Sequence, residues 1–200
     1  MKRVLIGLSL LGGMAWAQSE IDMLIQQAQE YESAGQYTDA ALTYGLVAVM
    51  LSDAGKTDGA VDLLEEFAHR AEGAGQYGDA AAAYGVAGGI LSEAGRTQEA
   101  IKLVDVLKAL AQKAEGAGNY GDAGTAYGVA GQILSDAGKA AEAAGLDRKS
   151  GEFYEKAGMF TLASYAYSDA ADILSDAGKT QEASELYKKA EEMRNRAGEK

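Results

Sequence analysis

Cysteine and proline are both absent from this chain, and histidine and tryptophan occur once each in 200 residues. Without cysteine there are no disulfides, no lipid attachment at a cleavage-site cysteine and no Cys/His metal centre. The fold must hold together by packing alone. A histidine-dependent nucleophilic site would have to be assembled around His69, on a helix that recurs three more times without histidine. A surface histidine is the expectation, and no catalytic residue or cofactor follows from the sequence. Basic residues are also scarce, 18 against 30 acidic ones, for a formal charge of −12. Nucleic acids and anionic membrane surfaces need basic patches, so this balance argues against both as partners. A basic protein or peptide suits this balance.

The first seventeen residues stand apart. Lys2 and Arg3 precede the apolar run Val4–Leu11, and Ala15-Trp16-Ala17 fits a small-residue cleavage site. That pattern reads as a signal peptide, too short and wrongly flanked for a spanning helix. Cleavage would leave Gln18 first, remove Lys2 and Arg3, and take the formal charge from −12 to −14. Export to a periplasm or beyond the cell is expected, without membrane insertion after cleavage.

What the chain has in abundance is glycine, 26 residues in all, and it is placed periodically. Gly75-Gln-Tyr77-Gly-Asp-Ala80 has counterparts at Gly35-Gln-Tyr37-Thr-Asp-Ala40, Gly118-Asn-Tyr120-Gly-Asp-Ala123 and Gly158-Met-Phe160-Thr-Leu-Ala163. Each copy closes on Ser-Asp/Glu-Ala-Gly, at Ser52–Gly55, Ser92–Gly95, Ser135–Gly138 and Ser175–Gly178. Opening glycines at 35, 75, 118 and 158 are spaced by 40, 43 and 40 residues, and such a period means stacked repeats.

Glycine after an apolar-periodic segment marks a helix end. The pattern predicts nine helices, near 19–34, 37–54, 57–74, 77–94, 97–117, 120–137, 140–157, 160–177 and 180–197, with no sheet. Ser19, Thr57, Thr97 and Thr180 are the expected N-caps. Connections of two or three residues make neighbours antiparallel. Odd helices carry an apolar stripe, such as Leu64, Phe67, Ala68 and Ala71, or Leu107, Leu110, Ala111 and Ala114. Even helices use alanine and tyrosine, as in Ala80, Tyr84, Ala87 and Leu91. The seventh helix fits least, with Gly145, Asp147 and Gly151 on its expected core face.

These residues resemble the tetratricopeptide repeat family. Leu64-x2-Phe67-Ala68-x2-Ala71 stands for its first helix, and Ala80-x3-Tyr84-x2-Ala87 for its second. Ala40-x3-Tyr44, Ala123-x3-Tyr127 and Ala163-x3-Tyr167 repeat the second half. The closing proline is missing, with Ser52, Ser92, Ser135 and Ser175 near its place, and the repeat exceeds the family's roughly 34 residues. Such longer, proline-free hairpins are similar to those of soluble NSF attachment proteins. The resemblance implies an all-α, right-handed superhelix (α-solenoid) of antiparallel hairpins over 18–200. Its repeats would be about 19–56, 57–96, 97–139 and 140–179, closed by a capping helix at 180–197.

Two motifs are set aside. Gly73-x-Gly75-x-x-Gly78 and Gly116-x-Gly118-x-x-Gly121 match a dinucleotide fingerprint, but they follow helices rather than strands. Gly55-Lys56-Thr57 and Gly178-Lys179-Thr180 resemble the end of a P-loop, but its leading glycine is replaced by Met50 and Ile173. Tyr44, Tyr84, Tyr127 and Tyr167 read as packing residues.

One polar constellation remains, on the odd helices opposite the apolar stripe. It comprises Asp22, Ile25, Gln29 and Glu32, then Asp62, Glu65, His69 and Glu72, then Asp105, Lys108, Gln112 and Glu115, then Arg148, Glu152 and Glu155. Glu32, Glu72, Glu115 and Glu155 each stand three residues before their glycine, so stacking aligns them as a ladder. The resemblance implies that this face lines a concave groove for a partner peptide or protein. The expected function is a non-catalytic interaction scaffold, and self-association through the open repeat ends is the competing expectation.

Overall fold

All eight connections between the described helices are three residues long, a consequence of how each helix is stopped. A computed structural model describes residues 19–198, and the proposed signal peptide lies outside them. The helices are α1 (19–33), α2 (Tyr37–Asp53), α3 (Thr57–Gly73), α4 (Tyr77–Glu93), α5 (Thr97–Gly116), α6 (Tyr120–Asp136), α7 (Ala140–Lys156), α8 (Phe160–Asp176) and α9 (Thr180–Gly198). Among the described residues there is no strand. Each helix from α1 to α8 ends on a glycine with φ between 72° and 80°. The residue after it donates its N–H back five residues, as in Gln76 to Ala71 O at 2.9 Å, while Gly75 donates to Glu72 O at 2.9 Å. This is the Schellman pattern, and only glycine takes the left-handed position without strain. It replaces the proline stop that the chain lacks. The 43-residue spacing is located in α5, at 20 residues three longer than α4 or α6.

The starts differ from expectation. Thr57 and Thr97 are the first helical residues, Lys56 and Arg96 hold the N-cap positions, and neither side chain caps the backbone of the helix it precedes. Thr180 likewise opens α9 from inside the helix, and Ser19 is already helical. The three-residue connections leave no room for an extended cap residue after the left-handed glycine. Part of the missing capping arrives from a neighbour: the Asp122 carboxylate on α6 accepts the N–H of Gly78 in the first turn of α4. One repeat earlier, Asp79 on α4 accepts the Thr38 hydroxyl on α2 at 3.0 Å.

Even helices lie side by side, α2 against α4 and α4 against α6, while no comparable backbone approach joins α3 to α5 or α5 to α7. Glycine makes this approach possible. Val86 of α4 sits over Gly45, Val129 of α6 over Gly85, and Ile133 over Gly88, where a methyl carbon would stand 2.6 Å from Ile133 Cδ1. The four tyrosines Tyr44, Tyr84, Tyr127 and Tyr167 are buried to within 5% exposure, so they are core, as their spacing predicts. Tyr44 packs against Phe67 with ring centroids 5.0 Å apart, and Tyr127 stacks on Phe153 at 5.4 Å. One apolar cluster runs from Ala28 to Phe153, and two smaller ones hold the α7–α9 end.

Candidate partner-binding surfaces

All fifteen residues of the expected groove reach solvent. Ile25, Glu32, Glu65, Glu72, Lys108 and Glu155 are half-buried, and Asp22, Gln29, Asp62, His69, Asp105, Gln112, Glu115, Arg148 and Glu152 are exposed. His69 is a surface residue whose side chain is 69% exposed, with Nδ1 3.4 Å from the Tyr84 hydroxyl. Each ladder glutamate has a basic partner on the next odd helix. Arg70 on α3 bonds both carboxylate oxygens of Glu32 on α1, at 2.7 and 3.2 Å. Lys113 on α5 bonds Glu72 on α3, and Lys156 on α7 lies 3.9 Å from Glu115 on α5. Glu155 on α7 receives Lys189 and Arg196 from α9, both at 3.1 Å. Core tyrosines join in, with Tyr44 donating to Glu32 at 3.3 Å and Tyr167 to Glu155 at 3.2 Å. Burial pushes the Glu155 carboxyl up, but the Lys189 hydrogen bond and charge, with Tyr167 and Arg196, outweigh it and hold the group below its ordinary value. Burial, helped by Glu72 and Glu65, pushes the Tyr84 hydroxyl up to about 12.

The row is therefore a zipper between repeats. Sequence reasoning picked its acidic half and missed the basic half, Arg70, Lys113, Lys156 and Arg196. The signal was present, since each base stands 38 or 41 residues after the glutamate it binds, one repeat further on. Elsewhere on this face Lys108 lies 3.7 Å from Asp105, and Arg148 lies 4.0 Å from Glu152.

A second surface was not anticipated. The even-helix layer parts between α6 and α8, leaving a cleft of about 450 Å³ floored by α7. The cause is legible in register. At the register where Val86 and Val129 cap a glycine of the preceding even helix, α8 carries the exposed Asp169 in place of valine. The sockets on α6 are taken instead by α7. Tyr154 packs on Gly124, Ser150 on Gly128 and Asp147 on Gly131, with Asp147 Oδ1 only 2.1 Å from where a methyl carbon would stand. Ser150 donates to Gly124 O at 2.8 Å, and the Tyr154 and Thr125 hydroxyls meet at 3.0 Å. Asp147 is 8% exposed, and burial, reinforced by the Asp169 charge, pushes its carboxyl from 3.8 up to about 7. Burial, then the Asp172 charge, raises Asp169 as well. At the rim stand Leu162 and Tyr165, 43% and 60% exposed. The poor match of α7 to its siblings thus has a location, with one correction. Gly151 packs under the Tyr167 ring, but Gly145 is exposed and not on the core face.

Stacked antiparallel hairpins with alanine–tyrosine second helices and glycine stops define a tetratricopeptide-like helical repeat protein. Within that class, residues 26–199 match the soluble NSF attachment protein (SNAP) family, and the chain belongs to it. Repeat scaffolds of this kind generally mediate protein–protein interaction and are generally non-catalytic. No curated protein matches the chain in sequence. Among solved structures, a crystal structure of MamA is similar at TM-score 0.44 and 20% identity, over 86% of this chain and 97% of that one. The designed helical repeat protein DHR64 is similar at TM-score 0.47 and 16% identity, over 92% and 96%. The TPR2AB domain of yeast Sti1, solved as a pHSP90 complex, is similar at 0.28 and 13%, over 87% and 99%.

Proposed function

We propose that the chain is an exported, non-catalytic scaffold that holds a partner protein. The observation that carries this reading is the one place where the stack breaks its own rule. A chain selected only to stack would continue the valine-on-glycine layer through α8. Here the layer opens onto a cleft whose floor is polar and whose rim is aromatic. The odd-helix face offers a partner a second surface of exposed Asp22, Asp62 and Glu152. With the ladder glutamates paired internally, that face acts through steering more than through buried contacts. Export is supported by Lys2-Arg3, the run Val4–Leu11 and Ala15-Trp16-Ala17.

Self-assembly is the second reading, favoured by one observation. Leu42, Leu46 and Val49 stand on α2 at 70%, 52% and 44% exposure, and Leu46 holds the position at which α4 and α6 present Val86 and Val129. Sedimentation over a range of concentrations, beside capture from the native cell envelope, separates the two. A monomer holding one partner at fixed stoichiometry supports the scaffold. Growth into larger species with no second component defeats it.

A further inference from the structure

Buried Asp147 and exposed Asp169 differ from the ladder glutamates and from Asp122. Glu32, Glu72 and Glu155 each receive a basic side chain, and Asp122 receives a backbone N–H. Among the described residues, Asp147 and Asp169 have no hydrogen-bond or ion-pair partner, and Asp147 is more than nine-tenths buried while facing the cleft. Neighbouring donors are committed elsewhere: Ser150 to Gly124 O, Tyr154 with Thr125, and Tyr187 to Asp172. The lining contains no lysine, arginine or histidine. A carboxylate held in so poorly solvated a site is costly to ionise, and a cation bound in the cleft would offset that cost.

The cleft also selects the kind of cation. Among the described residues no three carboxylates or imidazoles converge to hold a metal ion. The walls between rim and floor are apolar, with Val129, Leu162, Ala166 and Ile173. An aliphatic stem suits such walls, a charged head suits the floor, and Tyr165 at the rim offers a ring face to the same cation on entry.

We propose that the cleft between α6 and α8 binds the ammonium or guanidinium head of a lysine or arginine side chain of a partner protein, with Asp147 as its inner counter-charge and Asp169 as its outer one. The inference rests on the scaffold reading and names what the scaffold grips. The groups facing Asp147 are Asp169, Asp172 and Tyr165 from α8 and Tyr154 from its own helix, while α6 contributes only the uncharged Thr125, Gln132 and Ser135. Below about pH 7 the empty cleft keeps a proton on Asp147, so cation binding releases that proton and tightens as pH rises through this range.

The test uses the full-length chain and three capped pentapeptides, alanine-rich with a central lysine, arginine or norleucine. Binding is followed by calorimetry and by backbone amide shifts. The lysine and arginine peptides should shift the amides of Gln132, Tyr165 and Ala166, release close to one proton at pH 6.5, and lose roughly thirtyfold or more in affinity in Asp147→Asn. Asp169→Asn, at an exposed position, should weaken binding less and leave the melting temperature near wild type. Equal binding of the norleucine peptide, shifts mapping elsewhere, or unchanged affinity in both variants overturns the proposal. Spermidine binding as tightly as the peptides also overturns it, by assigning the cleft to a free amine. A native partner whose affinity ignores both substitutions defeats this inference and leaves the scaffold reading standing.

Discussion

Replacing Asp147 by asparagine keeps the shape of the side chain and removes its titration. Its carboxyl titrates near 7 in the folded chain against an ordinary 3.8, because it is buried and faces Asp169. A native value above the unfolded one means that the folded state holds the proton longer. The stability linked to this group is fully present below the unfolded value and is lost as pH rises toward 7. Between pH 5 and pH 8 the loss spans roughly two pKa units, at about 1.4 kcal/mol each, or about 2–3 kcal/mol. For a domain of this size each kcal/mol moves the melting temperature by roughly 2–4 °C. The wild type should therefore melt about 5–10 °C lower at pH 8 than at pH 5 from this residue alone. Thermal denaturation by circular dichroism across that range checks it, read as the difference between wild type and Asp147→Asn. Asp122 and Asp169 are also raised by burial, so the difference between variants carries the test rather than either curve. If Asp147→Asn retains the wild-type slope, the carboxyl is not held in a dry site and the account of the cleft floor is wrong.

Gly88→Ala and Gly151→Ala should destabilise by about 1–3 kcal/mol despite alanine's better helix propensity. The new methyls would lie 2.6 Å from Ile133 Cδ1 and 2.7 Å from the buried Tyr167 ring, and a rise in melting temperature for both would show that the contacts are slack. Joint substitution of Glu32, Glu72, Glu115 and Glu155 by glutamine should lower stability by about 0–1 kcal/mol per pair, more so at low salt. An unchanged salt-dependent melt would reduce the zipper to crystal-like decoration of the surface. Mass spectrometry of protein from the native host should find Gln18 as the first residue, and intact Met1 on the functional pool would contradict export.

Most helix boundaries were legible to within one or two residues, because the stops are written as Ala-Gly pairs and glycine alone tolerates the left-handed turn. The core tyrosines and the Leu64–Ala71 stripe were legible for the same kind of reason, since their spacing matches the helical period. The N-caps were not: threonine favours a cap position in isolation, but a preceding Schellman turn fixes where the next helix begins. The zipper was half visible, because pairing across repeats depends on which odd helix follows, and that is a three-dimensional adjacency. The cleft was hidden in a single substitution within the repeat. Asp169 where siblings have Val86 and Val129 reads as an ordinary surface change until the even helices are known to touch there.

The split of the core at α7 also bears on how the chain comes apart. Leu146 and Phe153 of α7 belong to the long cluster that begins at Ala28, while Ala144 belongs to a small cluster shared with α8 and α9. In a linear stack, opening proceeds from whichever end has the weakest interface to its neighbour. With no α6–α8 seam like that between α4 and α6, the last two helices are tied to the rest chiefly through α7, by Glu155 and the Tyr167–Gly151 contact, with Ile173 against the long cluster and Met159 over Gly121 as lesser ties. Amide protons of α8 and α9 should therefore exchange as one unit, faster than those of α3 to α6. A partner clamped across the cleft would stitch this unit back to α6 and slow that exchange.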